Sequence, residues 1–173
     1  MATRTSFLLL IVGTLIAHAC KKDKDDAPSG TGSGALEAAR VQFNIDGDGF
    51  SGQVITINPA SGSGNALYST ADDETSGSII ADAQNQFTVL FDGNTTATLT
   101  CSGGAGPVGI GLRTGGQQYI HQDNTVIITE YGTVGGWIRG TFSGTMLRAN
   151  GASAGTPVSI TNGSFRFKRL NDV

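Results

Sequence analysis

The sequence is poor in the residues that usually carry chemistry. Its 173 residues include two cysteines, two histidines, one tryptophan and four prolines. One histidine, His18, falls in the leading segment, which leaves His121 for the rest of the chain. Each shortage excludes something. Two cysteines permit one disulfide at most, so this is no disulfide-stapled scaffold. A zinc centre built on His121 and Cys101 would need carboxylates to complete it. A Ser–His–Asp triad would have to run through His121, and Asp123 lies too near in sequence to orient that ring. The plainer place for His121 is a surface near a strand end. Charged residues make up 14% of the chain, the formal charge is −3, and there is no basic stripe, which argues against a nucleic-acid partner. No apolar run reaches the roughly 20 residues of a spanning helix. What is abundant is glycine, at 26 residues, with serine, threonine and asparagine, a composition suited to strands and turns rather than helices.

The first twenty residues are the most specific part of the sequence. Arg4 precedes a short apolar run, Phe7 to Ala17 (FLLLIVGTLIA), of the length of a secretory h-region. Ala17 and Ala19 are small residues at the positions a signal peptidase reads, and Cys20 follows directly. This resembles a bacterial lipoprotein signal, which implies that Cys20 is lipidated and becomes the mature N-terminus. An ordinary A-x-A cleavage would cut the same bond and leave the Cys20 thiol unmodified. Each buried lipid methylene contributes about 0.8 kcal/mol, so several acyl chains on one residue anchor firmly where a single chain is marginal.

Lys21 to Asp26 (KKDKDD) is a solvated charged spacer, and it is similar to the tether that follows the lipidated cysteine in surface lipoproteins of the Bacteroidetes type. Ala27 to Ala35 (APSGTGSGA) is a flexible Gly/Ser linker. The expected organisation is a signal peptide over 1–19, a lipidated Cys20 with flexible tether over 20–35, and an all-β domain over 36–173. The resemblance implies the cell envelope as location, with the outer membrane as anchor and the domain on either face of it. The membrane is then a partner through the lipid, and a glycan or an envelope protein is the expected ligand.

Period-two alternation recurs through the domain. Val41, Phe43 and Ile45 share one side of a strand, and a second strand runs through Val54 and Ile55 to Ile57. Phe87, Val89 and Phe91 share a face, Asp92 to Asn94 reads as a turn, and TTATLTC returns from it as a hairpin partner. VGIGL and QQYIH are weaker strands and NTVIITEY a strong one. Ile138, Phe142 and Met146 lie on one side with Gly140 and Gly144 between them, glycines that signal curvature or close packing against a bulky neighbour, for which Trp137 is the nearest candidate. A strand over Val158 to Thr161 precedes Phe165 and Phe167, which alternate with Arg166 and Lys168. Ala35 to Arg40 is either one helical turn or an irregular lead-in. Eight to ten short strands with glycine, asparagine and aspartate turns predict a single antiparallel β-sandwich or small barrel-like domain. The segment Tyr131 to Leu170, with GTFSGT and ITNGSFRFK, is similar to the endings of small, uncharacterised all-β lipoprotein domains of the Bacteroidetes type. That resemblance implies the fold and brings no activity.

Candidate sites are few. Asn44 to Gly49 (NIDGDG) matches the start of an EF-hand calcium loop, with Asn44, Asp46 and Asp48 as oxygen ligands. The bidentate acid due at the twelfth position is Ile55, and the flanks alternate as strands. The same residues make a tight hairpin, with DGDG supplying the positive φ angles. Asp72, Asp73 and Glu74 would reach a β-type calcium site only by folding onto that turn, and read otherwise as a solvated loop. Asp82, Asp92, Asp123 and Glu130 are the carboxylates available for glycoside hydrolysis. Cys101 reads as a small buried hydrophobe. Tyr119, Tyr131 and Trp137 would form a sugar- or peptide-binding face if they point outward, and core packing otherwise. The sequence supports a binding or accessory lipoprotein first, an extracellular polymer hydrolase or a calcium-stabilised module second.

Overall fold

Alternation turns directly into burial along the first hairpin. In the computed structural model, which describes residues 37–173, β1 (Arg40–Gly47) buries Val41, Phe43 and Ile45 and points Arg40, Gln42 and Asn44 outward. Gly47, Asp48 and Gly49 take φ of 98°, 49° and 90°, and this left-handed run turns the chain into β2 (Phe50–Ile57). The lead-in Glu37 to Ala39 is irregular. Signal, Cys20, tether and Leu36 lie outside the described residues.

Eight further strands follow: β3 (Asn65–Ser69), β4 (Glu74–Ile80), β5 (Gln86–Asp92), β6 (Ala97–Cys101), β7 (Val108–Thr114), β8 (Gln117–Tyr131), β9 (Trp137–Arg148) and β10 (Pro157–Arg169). They form one ten-stranded sheet in the order β2-β1-β10-β3-β4-β5-β7-β8-β6, and β9 pairs with both β8 and β10. That double pairing partly closes the sheet into a ring. Every ladder is antiparallel except the two-residue seam joining β10 to β3 at Lys168↔Asn65 and Arg169↔Ala66.

The long strands each serve two neighbours on one flank. β8 pairs with β7 over Gln117 to Ile120 and with β6 over Asn124 to Ile128. β10 pairs with β1 over Ser159 to Arg166 before meeting β3. The strands β2, β1, β10, β9, β8 and β6 therefore form a layer that ends on two edge strands.

The core lies between this layer and the rest of the ring. Phe87 of β5 packs against Phe142 of β9, with ring centroids 4.9 Å apart, and against Phe165 and Phe167 of β10, each at 6.3 Å. Phe43 joins Phe142 at 5.9 Å. Aromatic pairs of this kind add about 0.5–1.5 kcal/mol each beyond their buried area. Gly140 faces the same cluster, where a Cβ would stand 2.4 Å from Phe165 Cζ and 2.5 Å from the Ile127 carbonyl oxygen. The bulk set against Gly140 is thus Phe165. Trp137 sits half-buried at the start of β9, with Lys168 Nζ 5.0 Å from its ring.

Three expectations about the strands are corrected. TTATLTC does not return against β5. The turn is tied sideways, with Gly93 N–H donating to Asp73 O and Asp92 N–H to Pro107 O, so β7 takes the flank of β5 while β6 pairs with β8. The β3–β4 hairpin was not among the expected strands, and Asp72 and Asp73 form its exposed turn, a solvated loop as expected. Its strands hide from a hydrophobic pattern because Thr75 and Gly77 occupy core positions, and the Phe167 ring fills the space at Gly77 to within 2.9 Å of where a Cβ would stand. QQYIH and NTVIITEY, finally, are one strand, β8, irregular in its ladder between His121 and Asp123.

Candidate binding face

Strand parity sends every second residue of the β2-β1-β10-β9-β8-β6 layer away from the core, and the register lines these residues up in rows. One row crosses all six strands: Thr56, Gln42, Ser164, Thr141, Ile127 and Thr98. It is hydroxyl and amide apart from Ile127. The next row is charged: Arg40 lies opposite Arg166, Arg166 opposite Arg139, and Arg139 opposite Glu130. Lys168 follows Arg166 on β10. The lysines and arginines from residue 37 onward are Arg40, Arg113, Arg139, Arg148, Arg166, Lys168 and Arg169, so four of these seven gather here, on a chain whose net charge is negative.

Two hollows open side by side on this face. One of about 210 Å³ lies among Arg40, Thr129, Arg139, Ser164 and Arg166, floored by Gly140 and Phe165. The second, of about 470 Å³, is lined by Thr141, Ser143, Thr161, Asn162 and Ser164 among others. Ser164 borders both. The second owes its shape to an irregularity in β10 between Ile160 and Gly163, where Asn162 takes a φ of 52°.

Like charges directly opposite one another on neighbouring strands repel. Two carboxylates offset the arginine row. Glu130 Oε2 lies 3.2 Å from Arg139 Nε, and Glu37 from the lead-in bridges two arginines, its Oε2 meeting Arg139 Nη2 and its Oε1 lying 3.6 Å from Arg166 Nη1. Arg166 Nε also donates to the Ala38 carbonyl. Arg40 pairs with no acid among the described residues.

The residues singled out from the sequence are spread over the fold. Asp46 Oδ1 accepts the Gly52 N–H at 3.1 Å. Asp48 accepts the Tyr119 hydroxyl at 2.8 Å and pairs with Arg148 Nη1 at 3.2 Å, their side chains only 9% and 17% exposed. Arg148 is held in turn by the Asn150 carbonyl and the Gln117 side chain. Asn44 stands outward on β1, between Val54 and Thr161. Among the described residues, no group of three or more His, Cys, Asp or Glu is placed to hold a metal ion.

The three nominated aromatics do not share a surface. Tyr119 is fully buried, and burial first, then its bond to Asp48, pushes its phenol far above the ordinary range. Tyr131, at the other end of β8, packs edge-on to Phe91 at 6.3 Å, shares a 2.7 Å hydrogen bond with the Thr75 hydroxyl and carries the Arg169 guanidinium 4.7 Å from its ring. Trp137 alone borders the outer face.

Of the nominated acids, Asp82, Asp123 and Glu130 have separate local partners, whereas Asp92 faces another carboxylate. Asp82 caps its own turn, and its bonds from the Asn85 side chain and the Gln84 N–H hold its carboxyl below the usual range. Asp123 accepts from Ser102 Oγ and Gly103 N–H. Asp92 lies across the strand from Glu74, and burial followed by the charges of Asp72 and Asp92 holds the Glu74 carboxyl above the usual range. His121 fills the gap where β7 and β8 part. Its Nδ1 lies 3.2 Å from Ile110 N and 3.3 Å from Ile110 O, and its Nε2 3.2 Å from Gly104 O. Cys101 is buried.

The arginine row went unnoticed in the sequence. Its local signal was present, since Arg40, Arg139 and Arg166 each neighbour a buried apolar residue and so face outward, but their adjacency depends on pairing the first strand with the last. No protein-family model, no curated protein and no solved structure matches this chain.

Proposed function

We propose that this chain is a lipid-anchored protein of the cell envelope, carried on the outer membrane by a lipid at Cys20, and that its β-domain is a binding module that presents the β1–β10–β9–β8 face to an extended polar ligand. The observation that carries the reading is the registered pair of rows, one hydroxyl and amide, one arginine, bordering two adjoining hollows. In favour of binding over hydrolysis, Asp82, Asp123 and Glu130 are each occupied by different neighbours. The membrane anchor rests on the signal-like segment that ends at Cys20.

Two measurements test it. The purified protein is passed over immobilised neutral and acidic polysaccharides beside a Thr141→Trp variant, which sets a bulky ring on an exposed position lining the second hollow. We expect retention on at least one polymer and a loss of about tenfold or more in the variant, with unchanged circular dichroism. No retention, or equal retention by the variant, overturns the binding reading. For the anchor, Cys20→Ala should move the protein out of the membrane fraction, and persistence there overturns the lipid assignment.

A further inference from the structure

We propose that the hollow between Arg40, Arg139 and Arg166 is a carboxylate site for an acidic polysaccharide, and that Glu37 is an internal carboxylate that engages two of its arginines until the ligand arrives. The inference rests on the binding-face reading and adds the ligand's chemistry to it.

Three guanidiniums in direct cross-strand register are an unfavourable arrangement unless an anion sits among them. Here the anions are two carboxylates from the chain itself, Glu130 on Arg139 alone and Glu37 with one oxygen on Arg139 and the other 3.6 Å from Arg166. Two of the guanidiniums that line the hollow thus already carry the functional group that it is proposed to bind. The hold is weak. Glu37 is 49% exposed and comes from an irregular lead-in rather than a strand, and exposed ion pairs contribute little. Arg40, the third guanidinium lining the hollow, makes no contact with Glu37 and is available to an incoming acid. Planar guanidiniums pair with carboxylates through two parallel hydrogen bonds, a geometry that a positioned ligand can use in full.

The neighbouring hollow selects the rest of the ligand. Thr141, Ser143, Thr161 and Asn162 offer hydroxyls and an amide beside the arginines, and Ser164 joins the two hollows. That places hydrogen-bonding groups for sugar hydroxyls next to a site for a carboxylate, as successive units of a uronic-acid chain require. Single-stranded nucleic acid is matched less well, because it needs open aromatic faces for stacking, and Trp137 beside this row is capped by Lys168.

The full-length protein in detergent is measured against immobilised polygalacturonate, fully methyl-esterified polygalacturonate, polyglutamate and single-stranded DNA. We expect binding to polygalacturonate, about tenfold weaker binding to the ester, and a loss of about tenfold in Arg139→Gln and in Arg166→Gln. Glu37→Gln, which removes the internal competitor, should bind about threefold tighter or better, an effect that a merely structural Glu37 would not produce. It also keeps the test decisive should an arginine variant fail to fold. Equal binding of acid and ester overturns the inference, as does an unimproved Glu37→Gln variant, or polyglutamate or DNA bound as tightly as polygalacturonate. Retention of a neutral polymer that Thr141→Trp abolishes and the arginine variants leave intact sinks this inference while the binding face stands.

Discussion

The Tyr119 hydroxyl donates to the Asp48 carboxylate across 2.8 Å, fastening the turn of the first hairpin to a strand 71 residues further along. Arg148 completes the contact from β9, so three separate stretches meet at one carboxylate. Removing the hydroxyl in Tyr119→Phe leaves Asp48 short of one donor, a cost of about 1–3 kcal/mol. Asp48→Asn keeps a residue that tolerates the positive φ but leaves the Arg148 guanidinium without its anion, a cost of about 3 kcal/mol. Urea melts of both single variants and the double variant should give a coupling of about 0.5–3 kcal/mol, and strict additivity would show that the contact is not made.

The same contact bears on the calcium alternative. Asp48 is spanned by a cation and a phenol, and Asp46 is bonded to Gly52. Millimolar calcium, or a chelator, should therefore leave the melting temperature where it is. A rise with calcium that disappears in Asp46→Ala would revive the loop as a metal site.

Gly140 is predicted to tolerate no side chain. In Gly140→Ala the new methyl group would collide with the Phe165 ring and the Ile127 carbonyl, at 2.4 and 2.5 Å. The expected loss is about 1–3 kcal/mol by chemical denaturation. Adding Phe165→Leu, which shortens the ring's reach, should recover part of the collision term, so the pair should be less destabilised than the sum of its singles. A pair that sums its singles would place the clash elsewhere.

Glu74 should make the protein less stable as the pH rises. Its folded carboxyl titrates above its ordinary value of 4.5, chiefly through burial and then through Asp72 and Asp92. The folded state therefore binds the proton more tightly than the unfolded chain. The favourable contribution is complete below about 4.5 and is lost as the pH rises through the raised folded value. Glu74→Gln should accordingly raise the melting temperature near neutral pH and lose that advantage in acid. A variant with the same advantage at both pH values would contradict the assignment.

How much of this was legible depends on where the information sits. The inward faces of β1 and β5 were readable because large apolar residues alternate there without interruption, as in Val41, Phe43 and Ile45, and those of β9 and β10 because phenylalanines recur there beside glycines. The DGDG turn was readable because its left-handed angles favour those residue types. β3 and β4 were not readable, since Thr75 and Gly77 hold core positions and the phenylalanine that fills the space belongs to β10. The arginine row was unreadable for a similar reason. Each arginine announces its own outward direction, but nothing local to Arg40 says that Arg166 will be its neighbour.

The pairing of β1 with β10 sets a timetable for the chain. The first strand made must wait for the last before its second flank is covered, and the seam to β3 needs the final residues of β10 as well. Long-range pairings of this kind form late and slowly, because the whole intervening loop has to be closed first. A ribosome-bound fragment that stops short of β10 has neither seam. The architecture therefore cannot lock before the last strand has been delivered.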